Sequence, residues 1–353
     1  GAQDAVDPAE VEAWFHQERA HASEIFDLHG LQFRYAIEHR DIPSKESLEQ
    51  MRAAVVGRPD HPLRRDIETF DRRLRNGPDV TECSVWLDSD LWRWNRTFGF
   101  GNGPEFIDIA AGDGVTWSLS PDQLNIADRG AAPPGYAYDE SITTIRRDLG
   151  QLLNGSIGIG VDSEAEITDF SVSKDRWRCR IERGPEWAVV LEGHWSAQSG
   201  RGFVDILRYQ QNRSSDYVGA TIEFLSWRFE SKENRWIAGE VVERDRTGRS
   251  TRVLVFRNVA GQDTIDVSTL VKPPVLGEPD PVRGFVRVSR VEDHRKKIGQ
   301  EISIGSDGNI TDRRPTVYGK SSRVVRLVGW TVLVALICGF VGLRLYRGKQ
   351  KEI

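Results

Sequence analysis

The chain has 353 residues, 39% hydrophobic and 29% charged, a balance too apolar for a disordered protein and sufficient for one large or two medium domains. Its 48 Lys and Arg against 53 Asp and Glu are unevenly placed: seven basic residues and Glu352 lie from Lys320 onward, leaving 41 basic and 52 acidic residues before it. An acidic body repels phosphate backbones and so excludes nucleic acid as a partner, and three cysteines exclude a disulfide scaffold or a multi-cysteine metal site.

The chain begins Gly1-Ala2-Gln3, without an initiator Met, as expected of a secreted protein whose signal peptide has been removed. Asp7-Pro8 then opens a short helix over 8–20 that carries Val11, Trp14 and Phe15 on one side. Leu31, Phe33, Tyr35 and Ile37 alternate with polar residues, which predicts a strand with one apolar face. Two helices follow. The first covers 44–56 and stops at Gly57; in the second, Leu63, Ile67, Phe70 and Leu74 recur at helical spacing before Asn76-Gly77-Pro78.

From Val80 the pattern becomes a run of antiparallel hairpins, with turn residues every eight to twelve positions. Cys83, Val85 and Leu87 alternate before Asp88-Ser89-Asp90, and Trp92, Trp94 and Phe98 share a face after it. Strands at 106–110 and 115–119 flank Gly112-Asp113-Gly114, and 124–127 is one more. A helix over 141–154 interrupts the meander, with Ile142, Ile145, Leu149 and Leu152 on one face and Gly155 past its end. Strand signals resume at 166–172, 177–182, 187–192, 203–210, 217–229, 236–243 and 251–258. So many strands in one sheet must curl, because their twist accumulates. The expected fold class is α+β, mainly β: a curved antiparallel sheet or incomplete β-barrel over residues 1–260, with two or three helices as a lid on its concave side or mouth.

Residues 261–322 contain Lys272-Pro-Pro, Pro279-Asp-Pro281 and a charged stretch at 292–297, and read as a stalk with short β pieces. Beyond them, 327–343 is a run of 17 residues without a charge. A hydrocarbon core about 30 Å thick needs about 20 helical residues; Arg326 and Arg344 can snorkel their charges outward, so 323–346 is expected to form a single transmembrane helix, with Trp330 and Tyr346 near its two interfaces. The remaining 347–353 would be a basic cytoplasmic tail. With a signal peptide removed, the body would lie on the periplasmic side of a bacterial cell membrane; a tail-anchored protein with a cytoplasmic body is the alternative.

The segments 84–98, 106–128 with its Asp113-Gly114-Val115-Thr116-Trp117 turn and strand, and 221–258 with Arg252-Val-Leu-Val-Phe256 resemble the periplasmic lipoprotein carriers of the Lol type (LolA/LolB-like), over roughly residues 10–260. That resemblance implies an incomplete antiparallel barrel capped by helices, a greasy interior holding acyl chains, and no chemistry. The expected anchor departs from it, since a carrier that crosses the periplasm must be soluble, and no position matches the carriers' lid-contacting arginine.

Signals for chemistry are sparse. None of His16, His21, His29, His39 and His194 has a partner at zinc-ligand spacing, and Gly158-Ile-Gly160 is a bare turn motif rather than a phosphate loop. Asp205 and Glu223 fall on predicted strands, where a pair of carboxylates could act as acid and base on a glycan, though carboxylates on a solvated strand face are far commoner. Cys83 and Cys179 could form one bridge. Neither a cofactor nor a metal is expected. Ten of the eleven Trp lie in the body, nine of them on or beside strands. Such aromatics are usually core; if the sheet stays partly hollow, Leu31, Phe33, Tyr35, Trp92, Trp94, Trp117 and Trp227 are the candidates to line an apolar groove. The leading expectation is a membrane-anchored module that binds lipid or lipoprotein acyl chains without catalysis. The alternatives are a structural subunit holding a protein partner and, third, a carbohydrate-acting hydrolase.

Overall fold

The computed structural model describes residues 6–22, 31–99, 105–129, 138–161, 165–212, 217–231, 235–260, 266–296, 298–304 and 309–316. Helix α1 (Pro8–His21) starts where Asp7 accepts a hydrogen bond from the Ala9 N–H at 3.0 Å, and buries Val11, Phe15 and Arg19 at four-residue spacing. Strand β1 (Leu31–His39) leads to α2 (Lys45–Ala54), capped by the Ser44 hydroxyl, and α3 (Leu63–Asn76), which ends at Gly77. A meander follows: β2 (Asp79–Asp88), β3 (Leu91–Phe98), β4 (Glu105–Gly112), β5 (Val115–Leu119) and β6 (Gln123–Asp128). Between β4 and β5 both Asp113 and Gly114 have positive φ, 50° and 74°, as a two-residue hairpin turn of matching twist requires.

Helix α4 (Tyr138–Asn154) then precedes a second meander of β7 (Glu166–Ser173), β8 (Arg176–Arg183), β9 (Trp187–Ser196), β10 (Arg201–Gln211) and β11 (Thr221–Leu225). The strand expected over 217–229 breaks after Leu225. Ser226 turns at φ 56°, and β12 (Arg228–Glu230) pairs with β13 (Arg235–Ile237) in a separate ribbon before β14 (Glu240–Arg244) and β15 (Ser250–Ala260) rejoin the sheet. The chain ends its described course with α5 (Val267–Leu270), the short pair β16 (Pro279–Asp280) and β17 (Gly284–Phe285), then β18 (Arg290–Asp293), β19 (Ile298–Ile304) and β20 (Ile310–Thr316).

Among the described residues one curved sheet holds 16 strands, in the order β20-β19-β18-β6-β5-β4-β3-β2-β1-β15-β14-β11-β10-β9-β8-β7. Every pairing is antiparallel except β18 against β6. Strand β1 joins the two meanders, placing Tyr35 opposite Cys83 on one side and Phe256 on the other. The first and last strands, β20 and β7, do not meet, so the sheet is not a closed barrel.

One face carries the main core. Phe33, Tyr35, Ile37, Cys83, Val85, Leu87, Trp92 and Trp94 join Ile181, Leu191, Phe224 and Leu254 from the other meander, beneath Phe15 of α1 and Ile145, Leu149 and Leu152 of α4. Two glycines make room for the aromatics: a Cβ at Gly193 would lie 2.5 Å from the Trp177 ring, and one at Gly202 would lie 2.4 Å from the Trp14 ring. The lid over this face is therefore α1 and α4. Helices α2 and α3 pack instead on each other around Leu48, Val55 and Ile67, tied to the sheet by ion pairs of Arg72 and Arg73 with Asp79 at 3.0 and 2.6 Å.

The opposite face of β2–β6 is covered by residues 267–288. Val267, Leu270, Val271, Val286 and Val288 pack on Trp86, Ala110, Trp117, Leu119 and Leu124. A clasp fixes them: Arg93, fully buried, donates to Asp108 (Nε to Oδ1, 3.0 Å), to Asp280 (Nη1 to Oδ2, 3.0 Å) and to the Leu270 carbonyl at 3.2 Å, while the Trp117 indole donates to the Val271 carbonyl at 2.7 Å. The stretch expected as a stalk over 261–322 is thus part of the folded body along its described residues, because its valines and Leu270 find an apolar face to cover. The expected membrane helix, 323–346, lies outside the described residues; no described helix is long and apolar enough to cross a membrane. Cys83 and Cys179 are both free and buried rather than bridged.

Candidate ligand cavity

The expected groove residues do not come together as one lining. Phe33, Tyr35, Trp92 and Trp94 are buried side by side in the main core. Trp117 lies on the other face: it pairs with Ala110, which pairs with Arg93, so its ring faces residues 267–288 and stacks under the Arg93 guanidinium, 5.0 Å away. The backbone of Leu31 pairs with Leu87; its side chain lies outside the described residues. Trp227 is half-buried, donates from its indole to the Val204 carbonyl at 2.9 Å, and packs beside Gly155.

The neighbours of that glycine in the chain, Asn154 and Ser156, belong to the wall of a cavity of about 370 Å³ between α4 and strands β10 and β11, within the range of about 300–1,000 Å³ usual for small-ligand sites. Helix α4 contributes Thr143, Arg146, Arg147, Gly150, Gln151 and Asn154; the turn after it contributes 156 and 158–161; Tyr209 and Ile222 form the sheet side, and Ala22 at the end of α1 completes the rim. The turn exists because Gly155 and Ser156 adopt positive φ, 60° and 64°, ending the helix in the left-handed region. It is held from outside by Arg19 of α1, whose guanidinium donates to the carbonyls of Ile157, Ile159 and Ala165 at 2.8, 2.9 and 3.1 Å. Burial lowers the pKa of Arg19, against which the nearby Cys179 acts weakly; the three carbonyls satisfy the charge that remains.

Behind the cavity runs a buried polar chain. The Tyr35 hydroxyl donates to Asp148 at 3.2 Å, Arg252 bridges Asp148 at 2.7 Å and Glu243 at 2.8 Å, and the Gln151 amide donates to Glu243 at 3.1 Å. Burial alone would lower the pKa of Arg252, but Asp148 and Glu243 outweigh it and hold the guanidinium charged. Burial, with Asp148 nearby, raises the Tyr35 phenol well above its ordinary value. On the sheet side, burial with Glu243 behind it pushes the Tyr209 phenol up to about 12, so its proton stays on at any physiological pH. The cavity therefore has an apolar part (Ala22, Ile159, Val161, Ile222), a polar wall and two arginines on α4. Sequence reading missed it because Gln151 and Asn154 look like solvated helix positions. The available signal is that Asp148 and Gln151 flank the apolar stripe of Ile145, Leu149 and Leu152, so they face the sheet.

The candidate carboxylate pair is engaged elsewhere. Asp205 accepts from His194 at 2.8 Å and pairs with Arg176; Glu223 pairs with Arg244 at 3.0 Å. Among the described residues, no group of three or more His, Cys, Asp and Glu is placed to hold a metal ion.

No protein-family model matches the sequence, and no curated protein matches it. Among solved structures, a DUF1329 family protein from Desulfovibrio piger aligns over 74% of this chain and 96% of its own, at 9% identity and a TM-score of 0.38. A putative outer membrane lipoprotein-sorting protein domain from Vibrio parahaemolyticus aligns over 74% and 95%, at 8% identity and a TM-score of 0.37.

Proposed function

We propose that this chain is a binding module without catalysis that takes an amphiphile, a lipid or the acyl chain of a lipoprotein, in the cavity under α4, and that residues 323–346 anchor it in a bacterial membrane with the body on the periplasmic side. The observation that carries the reading is the cavity itself: it opens between a helix and a curved sheet, and its wall is apolar on one part and polar on another, as an amphiphile requires. The ligand contacts first expected at Leu31, Phe33, Tyr35, Trp92, Trp94, Trp117 and Trp227 shift to Tyr209, Ile222 and the 156–161 turn, with Trp227 beside that turn and Tyr35 joined to Gln151 through Asp148, Arg252 and Glu243. Native mass spectrometry of the full chain extracted from membranes tests this. Bound species of lipid mass, released by mild activation, support the reading; a bare chain that also takes up no fluorescent fatty acid overturns it.

The filled core around Trp92 and Trp94 favours a second reading, an interaction subunit with no small ligand. Exposed Tyr217, Val218, Leu225 and Phe229 near β11 and β12 would then meet a protein partner. That reading requires a partner that co-purifies in mild detergent at fixed stoichiometry.

A further inference from the structure

Among the described residues the cavity wall carries two cations, Arg146 and Arg147, and no carboxylate. Thr143, Arg147, Gly150 and Asn154 recur at helical spacing, so one face of α4 looks onto the cavity, with Arg146 beside it. Arg147 bonds through Nε, to Asp148 Oδ1 at 3.4 Å, and its side chain is 54% exposed, which leaves its terminal nitrogens within reach of a ligand. Across the cavity Tyr209 is half-buried, and among the described residues no hydrogen bond engages its hydroxyl. Burial and Glu243 hold the proton on that phenol against the opposing charge of Arg147, so hydroxyl and guanidinium face the same space, both as donors. The carboxylates behind the wall, Asp148 and Glu243, share Arg252 at 2.7 and 2.8 Å. With Arg146 and Arg147 these five groups leave one net positive charge, which attracts an anionic head group and repels a cationic one.

Resting on the proposed function, we propose that the cavity under α4 selects an anionic amphiphile: a carboxylate or phosphate head accepts from Arg147 and the Tyr209 hydroxyl, with Arg146 beside them, while the acyl chain lies against Ile159, Val161 and Ile222. Hydrogen bonds from a guanidinium to a charged oxygen are roughly twice as strong as neutral ones, so the head group rather than the chain discriminates between ligands of equal length.

The test compares octanoate, octyl phosphate, octanol and octyltrimethylammonium, which share one chain length, by calorimetric titration into the full chain in a neutral detergent. The expected result is that at least one anion binds roughly 10-fold or more tightly than octanol, and the cation more weakly than octanol. In the double variant Arg146→Gln, Arg147→Gln the ratio of the octanol and anion dissociation constants should fall toward one, and in Tyr209→Phe it should fall in part; this ratio is insensitive to a modest loss of folded protein. Tighter binding of octyl phosphate assigns the head to a lipid phosphate and tighter binding of octanoate assigns it to a free fatty acid; either order supports the proposal. Octanol binding as tightly as both anions, or a ratio unchanged in the double variant, overturns the head-group selection while leaving amphiphile binding intact. Binding of none of the four also overturns it, and if no fluorescent fatty acid is taken up either, the proposed function falls with it.

Discussion

Replacing Arg93 with Met removes the cation that joins β3 to the segment crossing the outer face. Arg93 and the Asp108 side chain are fully buried and the Asp280 side chain nearly so. The substitution leaves Asp108 with Asn95 at 3.2 Å and Arg283 at 3.8 Å, and leaves Asp280 with the backbone N–H groups of Val282 and Arg283 at 2.9 and 2.8 Å. Removing one partner of a buried ion pair costs about 3–5 kcal/mol because a charge is left uncompensated, a large part of a total stability of about 5–15 kcal/mol. The assay is urea unfolding followed by Trp fluorescence. Adding Asp280→Asn to Arg93→Met should restore part of the loss, since one of the two stranded charges is gone. Acid adds a sign. Burial alone would raise the Asp280 carboxyl, but Arg93 and two backbone N–H groups hold it below the usual range. Its contribution is therefore complete above the unfolded value of about 3.9 and disappears as pH falls through the lower folded value. In Arg93→Met that acid-linked loss should shrink, because without Arg93 the folded carboxyl lies closer to its unfolded value. A loss below about 1 kcal/mol, the range of exposed pairs, would refute the claim that residues 267–288 are clamped to the sheet.

Arg19→Leu strands the carbonyls of Ile157 and Ile159 in the turn that walls the cavity, and that of Ala165; with charged hydrogen bonds worth about 1.5–3 kcal/mol each and not additive, it should cost about 3 kcal/mol in urea unfolding and speed amide exchange across 155–161. Burial pushes the Cys83 and Cys179 thiols up to about 12, so at pH 8 peptides containing them should stay unlabelled by iodoacetamide until denaturant is added; labelling of either in the native chain contradicts their place in the core. Gly193→Ala forces a methyl toward the Trp177 ring and the Phe203 carbonyl, and should destabilise by about 1–3 kcal/mol, the usual cost of overpacking, measured as a lowered melting temperature. Asp205→Asn and Glu223→Gln should leave lipid uptake unchanged, because their partners are His194, Arg176 and Arg244 rather than any cavity group.

Much of the sheet was legible because its causes are local. Alternation located β1 to β6 and β8 to β10 within a few residues, and the stripe of Ile145, Leu149 and Leu152 with Gly155 beyond it located the end of α4. What was not legible depended on partners far along the chain. Trp117 resembles Trp92 and Trp94 in sequence, yet the register through the Asp113-Gly114 turn puts it opposite Ala110 and therefore on the other face; parity within one strand does not say which face its neighbour buries. The polar, proline-containing composition of 261–322 concealed the i, i+3, i+4 spacing of Val267, Leu270 and Val271 and the alternation of Val286 with Val288, and the Arg93–Asp280 clasp that explains them spans 187 positions. The cavity was hidden for the same reason: Gln151 and Asn154 acquire meaning only once Glu243, Tyr209 and Ile222 are brought across from the second meander.

An amphiphile held beneath α4 must touch both the helix and the strands facing it. A diazirine-bearing fatty acid, photolysed on the full chain in detergent and mapped by peptide mass spectrometry, should mark residues 143–161 together with those around Tyr209 and Ile222. Adducts confined to β2 and β3 around Trp92 and Trp94, or spread over the surface without competition by unlabelled octanoate, would contradict a binding site beneath α4.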